Sequence, residues 1–216
     1  MMVRIICLAI GYVFGLFQTS YIYGRMNGID IREHGSGNAG TTNALRTLGK
    51  KAGIITLLGD CFKCVFAVLL VRAIFGSSHP DTIRLLGMYA AAGCILGHNF
   101  PVNLGFRGGK GIAASVGLVA SFDWRVLLIA ATVFLVLFFT THYVSLSSLT
   151  GYLAFLGSTL VMGQMGLFHM PQAELRELYV VVALLACLAF YRHRENIVRL
   201  IRGTERRTYL NSKSEK

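Results

Sequence analysis

The chain has few charged residues, and its acidic residues form no familiar catalytic pattern. Only 14% of its 216 residues are charged, whereas about a quarter of the residues in a soluble domain are charged. None of the six histidines has an aspartate five positions later, which excludes the His-x4-Asp motif of thioester-dependent acyltransferases. Neither clustered aspartates nor an H-E-x-x-H sequence occurs, so magnesium-dependent phosphatidyl transfer and zinc proteolysis are not indicated. We expect no metal site and no cofactor.

Cysteine and proline are also scarce. The three prolines and five cysteines leave no room for a disulfide framework or a proline-rich linker, and strand-like alternation of polar and apolar residues is absent. Cys61-Phe62-Lys63-Cys64 is a single C-x-x-C pair, and a structural zinc site needs further ligands. We therefore predict that the cysteines are small buried residues, with redox or metal chemistry as the less favoured alternative.

Long hydrophobic runs dominate the sequence instead. Hydrophobic residues make up 54% of the sequence, and the mean hydropathy is +0.58. Because a lipid environment admits only helices or closed barrels, we predict an all-α, polytopic membrane bundle with seven transmembrane helices. Five or six spans are the alternative count. Residues 1–207 form one membrane-embedded domain, and residues 208–216 form a polar C-terminal tail. The expected spans are 3–23, 54–75, 84–103, 110–122, 124–142, 146–168 and 177–191.

The basic residues predict the orientation of this bundle. The net charge of +11 comes from Lys and Arg in loops and in the tail rather than in a polar folded domain, so we expect no nucleic-acid partner. With an external N-terminus and a cytoplasmic C-terminus, the cytoplasmic segments hold 15 Lys and Arg residues and the external ones hold four. Positive residues mark cytoplasmic loops. The same orientation brings every polar motif described below to the cytoplasmic face.

The first polar motif is a glycine-rich loop that ends in an arginine. Glycine allows the backbone N–H groups to approach an anion closely, hydroxyl and amide side chains add neutral donors, and the guanidinium of Arg46 suits phosphate or carboxylate. The string does not match a Walker A loop, and a flexible interfacial loop is the alternative. The candidate anion-binding residues are Gly35, Ser36, Gly37, Asn38, Gly40, Thr42, Asn43 and Arg46.

The second motif, Arg107-Gly108-Gly109-Lys110-Gly111, precedes a predicted helix. Backbone N–H groups at a helix N-terminus together with Lys110 would form a phosphate cradle, and Gly108, Gly109 and Gly111 are its candidate binding residues. The alternative is that both basic residues only mark the cytoplasmic side. This alternative suits Arg107 better than Lys110, which is surrounded by glycines.

Three further positions carry polar groups at or inside the membrane. Ser145 is expected to cap a helix, while Ser148 could face a cavity in the bundle. His193 and Asn196 lie three residues apart after the last span, and therefore on one helical face. Asp60 and Lys63 lie within the second span, where we expect a structural ion pair more than direct chemistry.

In series, these motifs resemble the bacterial acyl-phosphate:glycerol-3-phosphate acyltransferase family. The resemblance rests on Gly-Ser-Gly-Asn-x-Gly-x-Thr-Asn, on Gly-His-Asn-Phe-Pro followed by Gly-Gly-Lys-Gly, on Tyr-Val-Ser-Leu-Ser-Ser and on Tyr-Arg-His-Arg-Glu-Asn. It extends from the first span to about Glu205. It implies a multi-pass protein of the bacterial inner membrane that transfers a fatty acyl group from acyl phosphate to the sn-1 hydroxyl of glycerol 3-phosphate. The products are lysophosphatidic acid and inorganic phosphate.

The resemblance also implies roles for individual residues. Ser36, Arg46, Lys110 and His193 would be catalytic, and Ser148 and Asn196 would bind substrate together with the glycine-loop residues. The expected partners are both substrates, membrane lipid and the enzyme that makes acyl phosphate. The acyl chain is expected beside the fourth and sixth spans, near Gly117 and Gly151. The alternative function is transport of a phosphorylated solute.

Overall fold

The computed structural model describes residues 1–209, and this part of the chain is helical without a β-strand. The all-α prediction is therefore confirmed. Of the predicted polar tail, Thr208 and Tyr209 are described, and residues 210–216 lie outside the described residues. The α-helices within residues 1–209 are α1 (Met2–Gly15), α2 (Thr19–Met26), α3 (Thr41–Leu48), α4 (Lys50–Phe75), α5 (Ile83–Asn99), α6 (Ile112–Phe122), α7 (Trp124–Thr141), α8 (Val144–Gln164), α9 (Gln172–Arg192) and α10 (Arg194–Ile201).

Within residues 1–209, five segments are long and apolar enough to cross a membrane. They are α1 with α2, α4, α5 with its flanking turns, α7 and α8. Helix α6 has 11 residues, or about 16 Å of helix, which is shorter than the hydrocarbon core of a bilayer. Helix α9 has 21 residues but carries Glu174, Arg176 and Glu177 near its start. The membrane bundle agrees with the sequence, and the count of seven spans remains a prediction.

The first hydrophobic run is not one continuous helix. Helix α1 ends at Gly15 and α2 begins at Thr19, so carbonyl groups near the break lose their helical partners. Two side chains replace them: Lys63 Nζ donates to the carbonyl of Phe17 at 2.6 Å, and Gln18 Nε2 donates to the carbonyl of Gly15 at 3.0 Å. Irregular backbone at membrane depth is tolerated where protein groups satisfy it. The break redirects the chain toward the first glycine-rich loop.

Helix α5 forms the centre of the bundle, and it contacts α1 backbone to backbone. In the apolar stretch around α5, 78% of the residues are buried, compared with 11% in α7. Each of the two helices contributes a Gly-x-x-x-Gly pair, Gly11 and Gly15 on α1 and Gly93 and Gly97 on α5. A Cβ atom on Gly93 would lie 2.0 Å from the carbonyl oxygen of Leu8. Small residues at this spacing allow membrane helices to approach closely.

We expect Gly93→Ala to destabilise the protein by about 1–3 kcal/mol, because the added methyl group has no space between the two backbones. The unfolding temperature of the detergent-purified protein should fall by about 5 °C. Gly157→Ala is the matched control, since Gly157 is a helical glycine with open space around it. Equal unfolding temperatures for both variants would contradict the close packing of α1 against α5.

Candidate functional site

The polar motifs converge on one cavity of about 1060 Å³. Its lining comes from the segment before α3, the segment before α6, the start of α8, and the chain from α9 onward. The motifs therefore share one end of the bundle. The predicted residues that line the cavity are Gly35, Ser36, Gly37, Asn38, Gly40, Thr42, Asn43, Arg46, Gly108, Lys110, Gly111, Ser148, His193 and Asn196.

Gly109 is the one predicted site residue that lies off the cavity lining. Its backbone N–H donates to the carbonyl of His98 at 3.1 Å, so this N–H is occupied. A Cβ atom at Gly109 would lie 2.1 Å from Nε2 of His98 and 2.6 Å from the carbonyl oxygen of Ala39. Glycine at this position allows the second loop to pack on His98 and on the first loop.

The first glycine-rich loop is shaped by Asn43. The Asn43 side-chain oxygen accepts a hydrogen bond from the backbone N–H of Ser36 at 2.8 Å, and its Nδ2 donates to the carbonyls of Ile31 and His34. Because all its polar atoms are engaged within the loop, Asn43 holds the loop in place rather than presenting a free amide. Helix α3 begins at the far end of this loop, with Gly40 as its N-cap and no side chain capping it. Its first N–H groups are thus available to an anion.

Lys110 is held by a network that ends on a carboxylate. The Lys110 ammonium donates to Oδ1 of Asn196, and Nδ2 of Asn196 donates to Oε1 of Glu205 at 2.6 Å. Glu205 also accepts from Ser145 at 2.8 Å and from Arg199 at 2.7 Å. Burial opposes the charged form of Glu205, but these hydrogen bonds outweigh it and lower the pKa of the carboxyl group. The network fixes the amide of Asn196, whose oxygen faces Lys110.

Burial, together with the nearby charge of Arg199, lowers the pKa of Lys110 from 10.5 to about 8, although Glu205 opposes both effects. The amine is therefore mostly protonated at neutral pH and sensitive to a bound anion. The adjacent Gly111, the N-cap of α6, has a φ angle of 79°. Glycine adopts this left-handed conformation without strain, which allows α6 to begin directly beside Lys110.

His193 presents an unprotonated nitrogen to the cavity. Its Nδ1 lies 2.8 Å from the carbonyl of Ala189, and a carbonyl only accepts, so the proton of the neutral ring is on Nδ1. Burial, together with the charge of Lys110, lowers the pKa of His193 to about 4. The imidazole is therefore neutral at pH 7, and its Nε2 can accept a hydrogen bond from a hydroxyl group.

Arg46 is joined to the segment that follows α10. One of its terminal nitrogens donates to the carbonyl of Arg206 at 3.1 Å and to the hydroxyl of Thr208. Desolvation lowers the pKa of Arg46, and the charge of Arg206 adds to this effect. Glu205 and Thr208 were not recognised as site residues from the sequence. The available signal was an acidic residue within a strongly basic segment, residues 202–207.

The remaining polar predictions have clear structural outcomes. The hydroxyl of Ser145 donates to Glu205 and does not cap α8, which has no side-chain cap. Ser148 lines the cavity, and its hydroxyl also donates to the carbonyl of Val144 at 2.7 Å. Asp60 and Lys63 form the expected ion pair, with 2.9 Å between Oδ1 and Nζ. Among residues 1–209, no group of three or more His, Cys, Asp or Glu side chains is arranged to hold a metal.

An apolar groove extends the cavity between α4, α6, α7 and α8. Several of its lining residues are themselves widely exposed on the surface of the bundle, among them Leu57, Leu58, Val116 and Leu135. Gly151 lines this groove, and a Cβ atom on it would lie 3.7 Å from the nearest atoms of α7. Gly117 does not line the groove. A Cβ atom there would lie 2.2 Å from the carbonyl oxygen of Cys61. Gly117 instead packs α6 against α4.

A helical membrane bundle with a basic, glycine-lined cavity that continues into an apolar groove is suited to anionic, amphipathic ligands. A family model described as Glycerol-3-phosphate acyltransferase matches residues 5–203, and the chain belongs to this family. It is therefore an acyltransferase of lipid synthesis, embedded in a membrane. The family assignment does not favour the solute transporter considered above.

Curated relatives and solved structures agree with this assignment. The chain is 42% identical to a glycerol-3-phosphate acyltransferase of Clostridioides difficile (strain 630) over 94% of each chain. It is 37% identical to one of Alkaliphilus metalliredigens (strain QYMF) over 95% of this chain and 96% of the relative. The fold matches PlsY (YgiH), an integral membrane glycerol 3-phosphate acyltransferase, in its glycerol 3-phosphate form, with a TM-score of 0.81, 32% identity, and coverage of 95% and 96%. The lysophosphatidic acid form matches with a TM-score of 0.79, 31% identity, and coverage of 96% of each chain.

The lowered pKa of Lys110 predicts an alkaline loss of activity. As the pH rises through about 8 the ammonium loses its proton, and kcat/KM, which reports the free enzyme, should fall about tenfold between pH 7 and pH 9. Lys110→Arg should remove this step, because a guanidinium group stays charged throughout the range. The measurement is kcat/KM against pH for both proteins. Superimposable pH profiles would contradict the assignment of the step to Lys110.

Proposed function

We propose that this acyltransferase uses acyl phosphate as its donor and acylates the sn-1 hydroxyl of glycerol 3-phosphate. The products are lysophosphatidic acid and inorganic phosphate, and the reaction is the first step of bacterial phospholipid synthesis. One observation carries the proposal: a cavity with two glycine-rich loops and Lys110 continues into an apolar groove whose wall residues are exposed on the surface of the bundle. Such a cavity accommodates two phosphate groups and one acyl chain.

The chemistry of the donor explains why the site holds cations and N–H groups. An acyl phosphate is a mixed anhydride, so its leaving group needs stabilisation of charge more than a strong acid. Lys110, Arg46 and the loop N–H groups supply that stabilisation in a partly desolvated cavity. We assign Ser36, Asn38 and Thr42, with the glycines beside them, to phosphate binding. Ser148 and Asn196 complete the substrate site, and no cofactor is required.

The proton of the attacking hydroxyl is transferred to the departing phosphate. The alcohol oxygen forms a bond to the acyl carbon, the bond from that carbon to the phosphate oxygen breaks, and inorganic phosphate leaves with the proton. The low pKa of His193 makes its ring a weak base at neutral pH. Its free Nε2 is suited to accept a hydrogen bond from a glycerol hydroxyl and so orient the acceptor.

The groove accounts for entry of the acyl chain. Leu57 and Leu58 of α4 and Leu135 of α7 line it and also face outward. A fatty acyl chain can therefore enter sideways from the lipid while its phosphate stays with the loops. Gly151 keeps this path open, and a direct supply of donor from the enzyme that makes acyl phosphate would be compatible with it.

The topology that fits this reaction has seven spans, an external N-terminus and a cytoplasmic C-terminus in the bacterial inner membrane. In this topology α6, although shorter than the hydrocarbon core, crosses as one of seven segments, together with α1–α2, α4, α5, α7, α8 and α9. This arrangement puts the cavity at the cytoplasmic face. With the span limits predicted from the sequence, the cytoplasmic segments hold 15 Lys and Arg residues and the external segments hold four. The excess of positive residues in cytoplasmic segments supports it.

Palmitoyl phosphate and labelled glycerol 3-phosphate should give labelled lysophosphatidic acid with the purified protein, and palmitoyl-CoA should give none. Lys110→Ala should lower the rate about 100-fold, as expected for loss of a charge-stabilising group. Lys51→Ala is the matched control, because Lys51 is exposed and lies off the cavity. Product from palmitoyl-CoA alone would disprove the donor. No product from either donor would favour transport of a phosphorylated solute, measured as uptake in proteoliposomes.

His193→Ala should keep most of the turnover at saturating glycerol 3-phosphate and raise KM for that substrate. The reason is that His193 binds the acceptor while the leaving phosphate takes the proton. Steady-state kinetics with glycerol 3-phosphate as the varied substrate measure both quantities. A loss of several orders of magnitude in kcat would instead make His193 the general base.

A further inference from the structure

A chain of polar side chains lies behind the second glycine loop, and the proposed reaction does not use it. It consists of Asp60 and Lys63 on α4 and His98 at the end of α5. All three are buried, with exposures of 0%, 5% and 2%. Ionisable groups at membrane depth are costly and mark functional positions by default. Asp60 and His98 also line the cavity.

The contacts of Lys63 fix the proton on the His98 ring. Its ammonium lies 2.9 Å from Oδ1 of Asp60, 2.6 Å from the carbonyl oxygen of Phe17 and 2.9 Å from Nδ1 of His98. An ammonium group has N–H donors and no acceptor, so Nδ1 of His98 accepts from Lys63. A neutral imidazole that accepts at Nδ1 carries its proton on Nε2.

Nε2 of His98 lies where the two glycine loops touch. The position of a Cβ atom on Gly109 is 2.1 Å from Nε2 and 2.6 Å from the carbonyl oxygen of Ala39, so residues of both loops surround this nitrogen. Among residues 1–209, Nε2 makes no hydrogen bond. The ring lines the cavity, and Nε2 is not sealed off from it, so a ligand in the cavity can accept its hydrogen bond.

We propose that the Nε2–H group of His98 donates a hydrogen bond to a phosphate oxygen bound between the two glycine loops. This inference deepens the proposed function and rests on it for the identity of the phosphate. Asp60 and Lys63 act as positioning residues, because they select the tautomer that directs the N–H group toward the ligand. The phosphate belongs either to glycerol 3-phosphate or to the acyl donor.

Two variants separate the two ends of the imidazole ring. His98→Gln places an amide near the position of Nε2 and can still donate to the ligand. His98→Asn places an amide near the position of Nδ1, where it can accept from Lys63 but cannot reach the ligand. The probe is inorganic phosphate, and the measurement is its Kd from the thermal stabilisation of each purified protein.

Phosphate should bind the glutamine variant with nearly the affinity of the unaltered protein. The asparagine variant should bind it about 10- to 100-fold more weakly, the range expected for one hydrogen bond to a charged group. Equal weakening in both variants would overturn the proposal, because it would indicate only a packing role for the ring. Unchanged affinity in the asparagine variant would overturn it as well.

Kinetics of the asparagine variant identify the phosphate. A raised KM for glycerol 3-phosphate assigns the contact to the acceptor, and a raised KM for acyl phosphate assigns it to the donor. Unchanged KM values for both overturn the proposal. An unaltered protein that binds phosphate but transfers no acyl group from acyl phosphate would disprove the donor and leave the phosphate contact intact.

If the asparagine variant fails to fold, a measurement on the unaltered protein tests the same contact. In the unaltered protein labelled with ¹⁵N-histidine, inorganic phosphate should shift the Nε2–H resonance that the glutamine variant lacks. A resonance unchanged by phosphate overturns the proposal.

Discussion

The ammonium group of Lys63 joins three segments inside the bundle, and the geometry of the site depends on this junction. It bonds to Asp60 on its own helix, to the carbonyl of Phe17 in the break of the first span, and to His98 beneath the second glycine loop. Each contact removes part of the cost of a charge at membrane depth, and an unpaired buried charge costs several kcal/mol. The segments leading to both glycine loops are therefore held to one point.

The helix contact between α1 and α5 makes this junction possible. The two Gly-x-x-x-Gly pairs bring the backbones together, so that Gly15 and Gly97 meet near the ends of both helices. Directly beyond them lie Gln18, whose amide donates to the carbonyl of His98 at 3.0 Å, and His98 itself. Close packing of the two backbones in the membrane thus fixes the positions of the residues that support the loops. Glycine serves two purposes here, helix contact in one place and anion approach in the other.

Much of this arrangement was predictable from the sequence. Composition and hydrophobic runs predicted the helical membrane bundle, and the four motifs predicted residues that the fold brings to one cavity. The break in the first span was not predicted, because it depends on contacts between helices. Lys63 reaches the break from α4, and Gln18 reaches from the break to the end of α5. Glu205 was missed for the same reason: a carboxylate at the centre of a network is recognised by its partners, which are distant in sequence. Gly109 and Gly117 were predicted to lie at the substrate site, but both pack against other segments instead. A glycine that binds and a glycine that packs look alike in a sequence.

The way in which Lys110 is held has a consequence for anion binding. A direct ion pair with Glu205 would neutralise the charge that a phosphate must find, and phosphate would have to displace the carboxylate. The amide of Asn196 lies between the two groups, accepting from Lys110 and donating to Glu205. The amide orients the Lys110 ammonium without neutralising its charge, because an amide is itself neutral. Glu205 instead pairs with Arg199 at 2.7 Å, which keeps that cation from competing for the anion. The site thus holds its carboxylate close enough to order Lys110 and leaves the ammonium charge free for the substrate.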